Sequence, residues 1–268
     1  MQDPIITLLT DFGNKDPYVG SMKGIILSIC PNAKLIDLTH EIQKHNIQEA
    51  TFFLFSVAKY YPKNTIHLVV IDPGVGSNRT ALIIQTENYF FVGPDNGVVS
   101  LAAANDNIQK VVEISNSTYF LKQVSHTFHG RDIFAPVAAH LALNRMPEEF
   151  GSITKSWIKI EIPETIINKN EIFGEIIHID RFGNILTNIS QDILENLERL
   201  QEKFLEIKLK NQNWKIPLCT SYNEVKIGEF LGIIGSMDLL EISKNQKSAA
   251  DALKAQIGEK ISVKFSSD

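Results

Sequence analysis

The unbroken apolar run Thr65-Ile66-His67-Leu68-Val69-Val70-Ile71, cut off by Asp72-Pro73-Gly74, constrains this chain more than any other feature. A strand that is apolar on both faces must be covered on both faces, which is the condition of a strand inside a parallel sheet. The surrounding pattern agrees. Strand patterns at Ile5–Thr10, Leu35–Leu38 and Thr65–Ile71 alternate with helical ones. The first helix is expected to have Asp16 as N-cap and Pro17 at its first position, with the apolar residues Tyr18, Met22, Ile25, Ile26 and Ile29 at helical spacing. The second is capped by Asn46, with Glu49 completing a variant capping box. Further strands are expected at Ala81–Gln85 and Tyr89–Val92, and helices near Val98–Ala104 and Ile133–Leu143. The alternation predicts an α/β N-terminal domain with a mainly parallel sheet over residues 1–157.

Residues 158–171 break the pattern with Pro163 and interspersed Lys, Glu and Asn, and read as a linker. Beyond them, short strands are expected at Glu175–Ile179, Leu186–Ile189, Phe204–Leu209, Trp214–Leu218, Phe230–Ile234, Leu239–Ile242 and Ile261–Phe265, with helical interludes near Gln191–Leu200 and Ser248–Ile257. Residues 172–268 therefore read as a smaller all-β, barrel-like domain.

Composition removes several function classes. A net charge of −5 offers no basic excess to neutralise phosphates, so no nucleic acid partner is expected. No apolar run approaches the ~20 residues of a membrane span, and the N-terminal segment lacks the basic stretch of a secretory signal, so a cytoplasmic protein without a membrane partner is expected. Cys30 and Cys219 sit in apolar contexts and read as reduced and buried. Gly74-Val75-Gly76 fails as a dinucleotide fingerprint, because Arg79 stands where the third glycine belongs and a strand follows. No P-loop, zinc spacing or Gly-x-Ser-x-Gly elbow occurs. No metal, redox cofactor or covalent serine is expected.

The remaining candidates are polar segments in apolar surroundings. Asp11 and Asp72 each follow a strand, where open α/β sheets bind ligands. A carboxylate at Asp11 suits two ribose hydroxyls; a turn cap explains it as well. Asp72, Arg79 and His129 offer a carboxylate, a guanidinium and an imidazole that can hold and activate one water if they meet in space; taken singly, each also reads as a turn or surface residue. Arg131-Asp132 reads as a local charge pair. Asp180 and Asn184, in Asp180-Arg181-Phe182-Gly183-Asn184, fit a plain hairpin or a hairpin that displays them to a polar ligand. Gly235-Ser236-Met237-Asp238 is a similar turn, and Tyr222 offers a ring for stacking on a planar base.

Together, Thr10-Asp11-Phe12-Gly13, Asp72-Pro73-Gly74-Val75-Gly76, Thr127-Phe128-His129-Gly130-Arg131-Asp132, Asp180-Arg181-Phe182-Gly183-Asn184 and Gly235-Ser236 resemble, in order and over nearly the whole chain, the S-adenosylmethionine (SAM) hydroxide adenosyltransferases, relatives of fluorinase and chlorinase. The resemblance implies an N-terminal α/β domain and a C-terminal β-barrel in a homotrimer, with SAM bound between subunits and hydrolysed to adenosine and methionine without a cofactor. It implies that Asp11 holds the ribose, that Asp180, Ser236 and the backbone near Met237 bind the methionine end, and that Asn184 and Tyr222 surround the adenine. Asp72, Arg79 and His129 would activate the water. His45 stands where the halogenases use tryptophan and receives no role. Met237 stands where they use an arginine.

The same resemblance separates water from halide. Fluorinase has a tyrosine where this chain has Asp72 and a halide-holding serine where it has Gly130, and it carries an insertion between the Arg79 segment and the Tyr89 strand that is absent here. A halide-dependent, chlorinase-like adenosyltransferase and a noncatalytic adenosine or SAM sensor are the alternatives.

Overall fold

All six residues of the strand Thr65–Val70 are buried. The computed structural model describes residues 3–169, 171–197, 203–210 and 212–266. The chain divides into two compact units, Met1–Glu161 and Ile162–Asp268. In the first, β1 (Ile5–Thr10), β2 (Lys34–Thr39), β3 (Thr65–Val70), β4 (Ala81–Thr86), β5 (Tyr89–Pro94), β6 (Ile108–Ile114) and β7 (Gly151–Ile153) form one mixed sheet in the order β2-β1-β3-β5-β4-β6-β7. β2, β1, β3 and β5 run parallel, and β4, β6 and β7 extend the sheet with antiparallel pairings.

Both faces of this sheet are covered, as the apolar run requires. The helices are α1 (Tyr18–Ile29), α2 (Ile47–Ala58), α3 (Ser100–Ala104) and α4 (Ala135–Ala142). Ile6, Leu8, Ile66, Leu68 and Val70 pack with Met22 and Ile26 of α1 and Val137, Ala138 and Leu141 of α4. The alternate residues Leu9, Val69 and Ile71 pack with Ala50 and Leu54 of α2 and Ala102 and Ala103 of α3. Each fully buried side chain of this size contributes about 1.5–3 kcal/mol.

Several expectations shift locally. Helix α1 starts one residue later than its pattern suggests: Pro17, at φ −77° and ψ 6°, stands outside it as N-cap in place of Asp16. Tyr18 is exposed, although its ring meets those of Phe12 and Phe128. Asn46 caps α2 by accepting the Glu49 N–H at 3.0 Å. The helix expected from Ile133 begins earlier, as a π-helical turn at Gly130–Phe134 that leads into α4. Strands β6 and β7 were not anticipated. Cys30 and Cys219 are free and buried.

In the second unit, β8 (Ile166–Asn168), β9 (Glu171–Ile179), β10 (Ile185–Ser190), β11 (Phe204–Leu209), β12 (Gln212–Cys219), β13 (Phe230–Ile234), β14 (Leu239–Lys244) and β15 (Lys260–Ser266) run in the order β10-β14-β13-β12-β11-β15-β9-β8. Pairing of β10 with β9 closes the sheet into a barrel of seven strands, with β8 attached outside the ring. Closure removes the free edges of an open sheet. Ile176, Ile185, Leu205, Ile207, Leu240 and Val263 fill its interior.

The expected helix Gln191–Leu200 is α5 (Gln191–Asn196), and residues 198–200 lie outside the described ones. The expected Ser248–Ile257 helix is α6 (Ala249–Leu253), capped by Ser248 and ended by Lys254 in a left-handed conformation. Among the described residues no helix is long and apolar enough to cross a membrane.

Candidate active site

Parallel pairing decides what the sheet presents at its carboxyl edge. Thr10 of β1 lies beside Val70 of β3, so Asp11 and Asp72 follow the ends of adjacent strands. β5 is the next parallel neighbour, and Asp95 and Asn96 follow its end.

Past β3 the chain turns through hydrogen bonds from Val75 N to Asp72 O at 3.2 Å and from Ser77 N to Gly74 O at 3.1 Å. Gly76 sits at φ +77°, and a Cβ there would lie 2.3 Å from the His126 carbonyl oxygen. Only glycine lets the Asp72–Arg79 turn approach the 125–131 segment this closely. That approach delivers Arg79 to both of its partners. Arg79 Nε donates to Asp72 Oδ1 at 2.8 Å, and Nη2 donates to Asp72 Oδ2, making a bidentate pair. Nη2 also lies 3.0 Å from His129 Nδ1. The Asp72 and Arg79 side chains are 5% and 12% exposed. The guanidinium lies over the Phe134 ring, 5.1 Å from its centroid.

These contacts fix the imidazole's tautomer. A guanidinium only donates, so His129 Nδ1 accepts and the ring hydrogen sits on Nε2. Burial and then the Arg79 charge push the His129 pKa below its ordinary value, so the neutral ring prevails near pH 7. Neighbouring residues hold the pair from both flanks. Asn96 Nδ2 donates to Ile71 O at 2.8 Å, just before Asp72. Thr80 Oγ1 donates to Asp95 Oδ2 at 2.9 Å, and Arg79 Nη1 donates to Thr80 O at 3.1 Å. Arg131 is spent on buried Asp132, through Nε to Oδ1 at 2.6 Å, as the local pair expected of it.

Asp11 lies in the same unit. Its side chain is 7% exposed, and its Oδ2 accepts the backbone N–H of His45 at 2.8 Å. His45 holds φ +64°, and its own side chain points largely into solvent at 71% exposure.

The second unit carries a separate cluster at its turns. Asp180 Oδ1 accepts the N–H groups of Phe182 at 2.8 Å and Asn184 at 2.9 Å, and Oδ2 accepts Asn184 Nδ2 at 2.9 Å. Asp180 and Asn184 therefore organise the β9–β10 hairpin themselves. Gly183 is at φ +81°, where a Cβ would lie 2.1 Å from Ser248 Oγ. Tyr222 is 42% exposed, and its hydroxyl donates to Glu241 Oε1 at 2.6 Å. Burial, the bond to Glu241, and the charges of Glu241 and Asp180 push its phenol well above the ordinary range. Asp180 thus lies within electrostatic reach of Tyr222. Ser236 is exposed and Met237 half-buried in the β13–β14 turn, which the Asp238 N–H closes onto Gly235 O at 3.1 Å.

Glu241 was missed from the sequence. It is 6% exposed, and its Oε1 also accepts Ser243 Oγ at 2.7 Å. A Cβ on Gly235 would lie 3.1 Å from its Oε2, so the turn bearing Ser236 and the Tyr222 ring share one carboxylate. The signal available was an acid inside the apolar pattern of Leu239-Leu240-Glu241-Ile242. Among the described residues no group of three or more His, Cys, Asp or Glu is placed to hold a metal ion.

Residues 6–151 match the SAM hydroxide adenosyltransferase N-terminal domain, and residues 174–262 match the C-terminal domain of the same name. An (R)-S-adenosyl-L-methionine hydrolase of Methanocaldococcus jannaschii is 38% identical over 97% of this chain and 95% of its own. A fluorinase of Nocardia brasiliensis is 23% identical over 97% of each chain. The crystal structure of a conserved Thermotoga maritima protein, 35% identical, superposes with a TM-score of 0.91 over 96% of this chain and 99% of that one.

Proposed function

We propose that this chain, which belongs to the SAM hydroxide adenosyltransferase family, hydrolyses S-adenosyl-L-methionine to adenosine and L-methionine. The observation that carries the reading is the closed contact of Asp72, Arg79 and His129 at the carboxyl edge of the sheet. The water oxygen forms a bond to the 5′ carbon while the C–S bond breaks. The bonding pair stays on sulfur, which leaves as a neutral thioether and needs no general acid. One water proton must depart as the new bond forms.

Each side chain has a distinct part. Arg79 balances the buried Asp72 charge through the bidentate pair. It also occupies His129 Nδ1, so His129 offers an N–H from Nε2 to the water oxygen. A proton route through His129 is closed in this arrangement, because the remaining ring nitrogen already carries hydrogen. Asp72 is the acceptor, through lone pairs left over from the bidentate pair. A sheltered site also favours a reaction in which the sulfonium charge disappears.

In this reading Asp11 holds the ribose, Asp180, Ser236 and the backbone near Met237 bind the methionine end, and Asn184 and Tyr222 lie around the adenine. The protein works as a cytoplasmic homotrimer, without metal or cofactor, and each SAM is shared between subunits. Support comes from the family resemblance and from polar clusters that each carry only part of such a contact set.

No observation favours halide over water. The Asp72 carboxylate repels an incoming anion. A side chain at Gly130 would begin 3.3–3.4 Å from Phe128, Val70 and Met22, which leaves little room for a hydroxyl. Purified protein incubated with SAM and a chelator should release equal amounts of adenosine and methionine, followed by chromatography. Unchanged SAM, or a product that appears only with chloride, overturns the reading.

A further inference from the structure

One buried imidazole in the first unit takes no part in the chemistry above, yet it is bonded to the turn that carries Asp11. His40 follows the end of β2 and is 3% exposed. Its Nδ1 lies 2.9 Å from Thr10 Oγ1. Its Nε2 faces Asp37 Oδ1 at 3.0 Å, off the straight line of a hydrogen bond. Lys23 holds Asp37 from the other side at 2.6 Å.

The donors and acceptors run in one direction. A carboxylate only accepts, so the ring hydrogen belongs on Nε2, towards Asp37. Nδ1 is then an acceptor, and the Thr10 hydroxyl donates to it. That leaves the oxygen lone pairs of Thr10 to accept the backbone N–H of Phe12, at 3.3 Å. His40 also binds the turn through its main chain: the Gly13 N–H donates to His40 O at 2.7 Å. Asp11 is therefore bracketed, with Thr10 and Phe12 tied to the imidazole and Gly13 to the carbonyl of the same residue. Further contacts extend the seam, from His45 N to Asp11 Oδ2 and from Asn14 Nδ2 to Glu41 Oε1 at 2.9 Å.

A plain turn needs none of this. Burying an imidazole and a hydroxyl is costly unless both are satisfied, and an apolar pair would fill the space without that cost. What the arrangement supplies is a fixed direction for the carboxylate between the bracketed residues. We infer that His40 is a positioning residue for sugar recognition, holding the Asp11-Phe12-Gly13 turn so that the Asp11 carboxylate meets two vicinal hydroxyls of a nucleoside. The inference rests on the reading of Asp11 given above.

Calorimetric titration with adenosine and with 2′,3′-dideoxyadenosine tests it. His40→Gln keeps reach to Asp37 but loses Thr10, and Thr10→Val removes the hydroxyl while keeping the shape. Each should weaken adenosine binding about tenfold, the scale of one well-placed hydrogen bond. Each should weaken binding of the dideoxy compound by less than about twofold, because the orientation of Asp11 matters only where hydroxyls exist. His40→Asn, whose amide falls near the Nδ1 position, should recover most of the loss. Adding His40→Gln to Asp11→Ala should cost nothing further, since a residue acting through Asp11 has no effect once Asp11 is gone. Equal losses for both compounds, additive losses in the double variant, or unaltered adenosine affinity in His40→Gln and Thr10→Val overturn the inference. Failure of the unsubstituted protein to prefer adenosine over the dideoxy compound instead removes the sugar reading of Asp11, and this inference with it.

Discussion

The polar cluster of the sheet unit and that of the barrel unit are built on opposite principles. In the sheet unit, Asp72 reaches Arg79 across 7 residues and Arg79 reaches His129 across 50, so the cluster exists only when the whole fold is in place. Its carboxylate is matched by a guanidinium. In the barrel unit, Asp180 and Asn184 are 4 residues apart, and Tyr222 and Glu241 are 19 apart. Their carboxylates take hydrogen bonds from hydroxyl, amide and backbone groups. The first cluster is a charge-balanced device with a defined tautomer, suited to handling a proton. The second joins the Asp180 hairpin to the buried Glu241 of β14, and on the proposed reading it serves to recognise the substrate. On the proposed reading, chemistry and recognition follow different structural logics in one chain.

The largest test of that contrast is to remove the proton acceptor and the imidazole that holds the water. Asp72→Ala and His129→Ala should each lower kcat by about 10²–10⁴-fold while SAM still binds, read by turnover and calorimetry together. Near-normal rates in both would make the first cluster structural and erase the distinction. A second test concerns the sheet unit's core. His67 is fully buried, with Nδ1 2.8 Å from Thr7 Oγ1, and burial pushes its pKa down to about 3. The unfolded chain takes up a proton near the ordinary value of about 6.5, and the folded one only near 3. Protons therefore favour unfolding between those values: this contribution is complete above about pH 6.5 and falls by up to about 1.4 kcal/mol per pH unit as acid is added. Urea midpoints measured from pH 7 to pH 4 should fall, and His67→Phe should flatten the slope; an unchanged slope removes His67 as its source. The smallest effect belongs to the barrel unit. Tyr222→Phe and Glu241→Gln should raise KM for SAM by about three- to tenfold, the scale of one hydrogen bond, with kcat much less affected. A loss in kcat as large as that of His129→Ala would mean that the barrel cluster also takes part in the chemical step.

Much of this was legible in the sequence, for reasons that differ from residue to residue. The buried parallel strands announced themselves as apolar runs, and the helix cap Asn46 is of a residue type that satisfies free N–H groups. β6 did not, because Gln109, Lys110 and Glu113 interrupt its apolar positions, and β7 is too short to carry a pattern. Whether Asp72, Arg79 and His129 meet depends on the fold, which brings the three side chains into contact. What the sequence withheld was direction. Nothing in Thr127-Phe128-His129-Gly130 reveals which imidazole nitrogen carries hydrogen, since that depends on the geometry of Arg79. His40 gave no signal for a related reason, and the acid in Leu239-Leu240-Glu241-Ile242 marked a position without its partner. A polar residue beside a turn or inside an apolar strand acquires meaning only from partners far along the chain.

A single nitrogen, Arg79 Nη2, touches both the carboxylate and the imidazole. The two ends of the triad are consequently mechanically linked. A hydrogen arriving on Nδ1 would evict the guanidinium from one neighbour and leave it to the other, so the acid and the ring respond to their surroundings as one body with three ends.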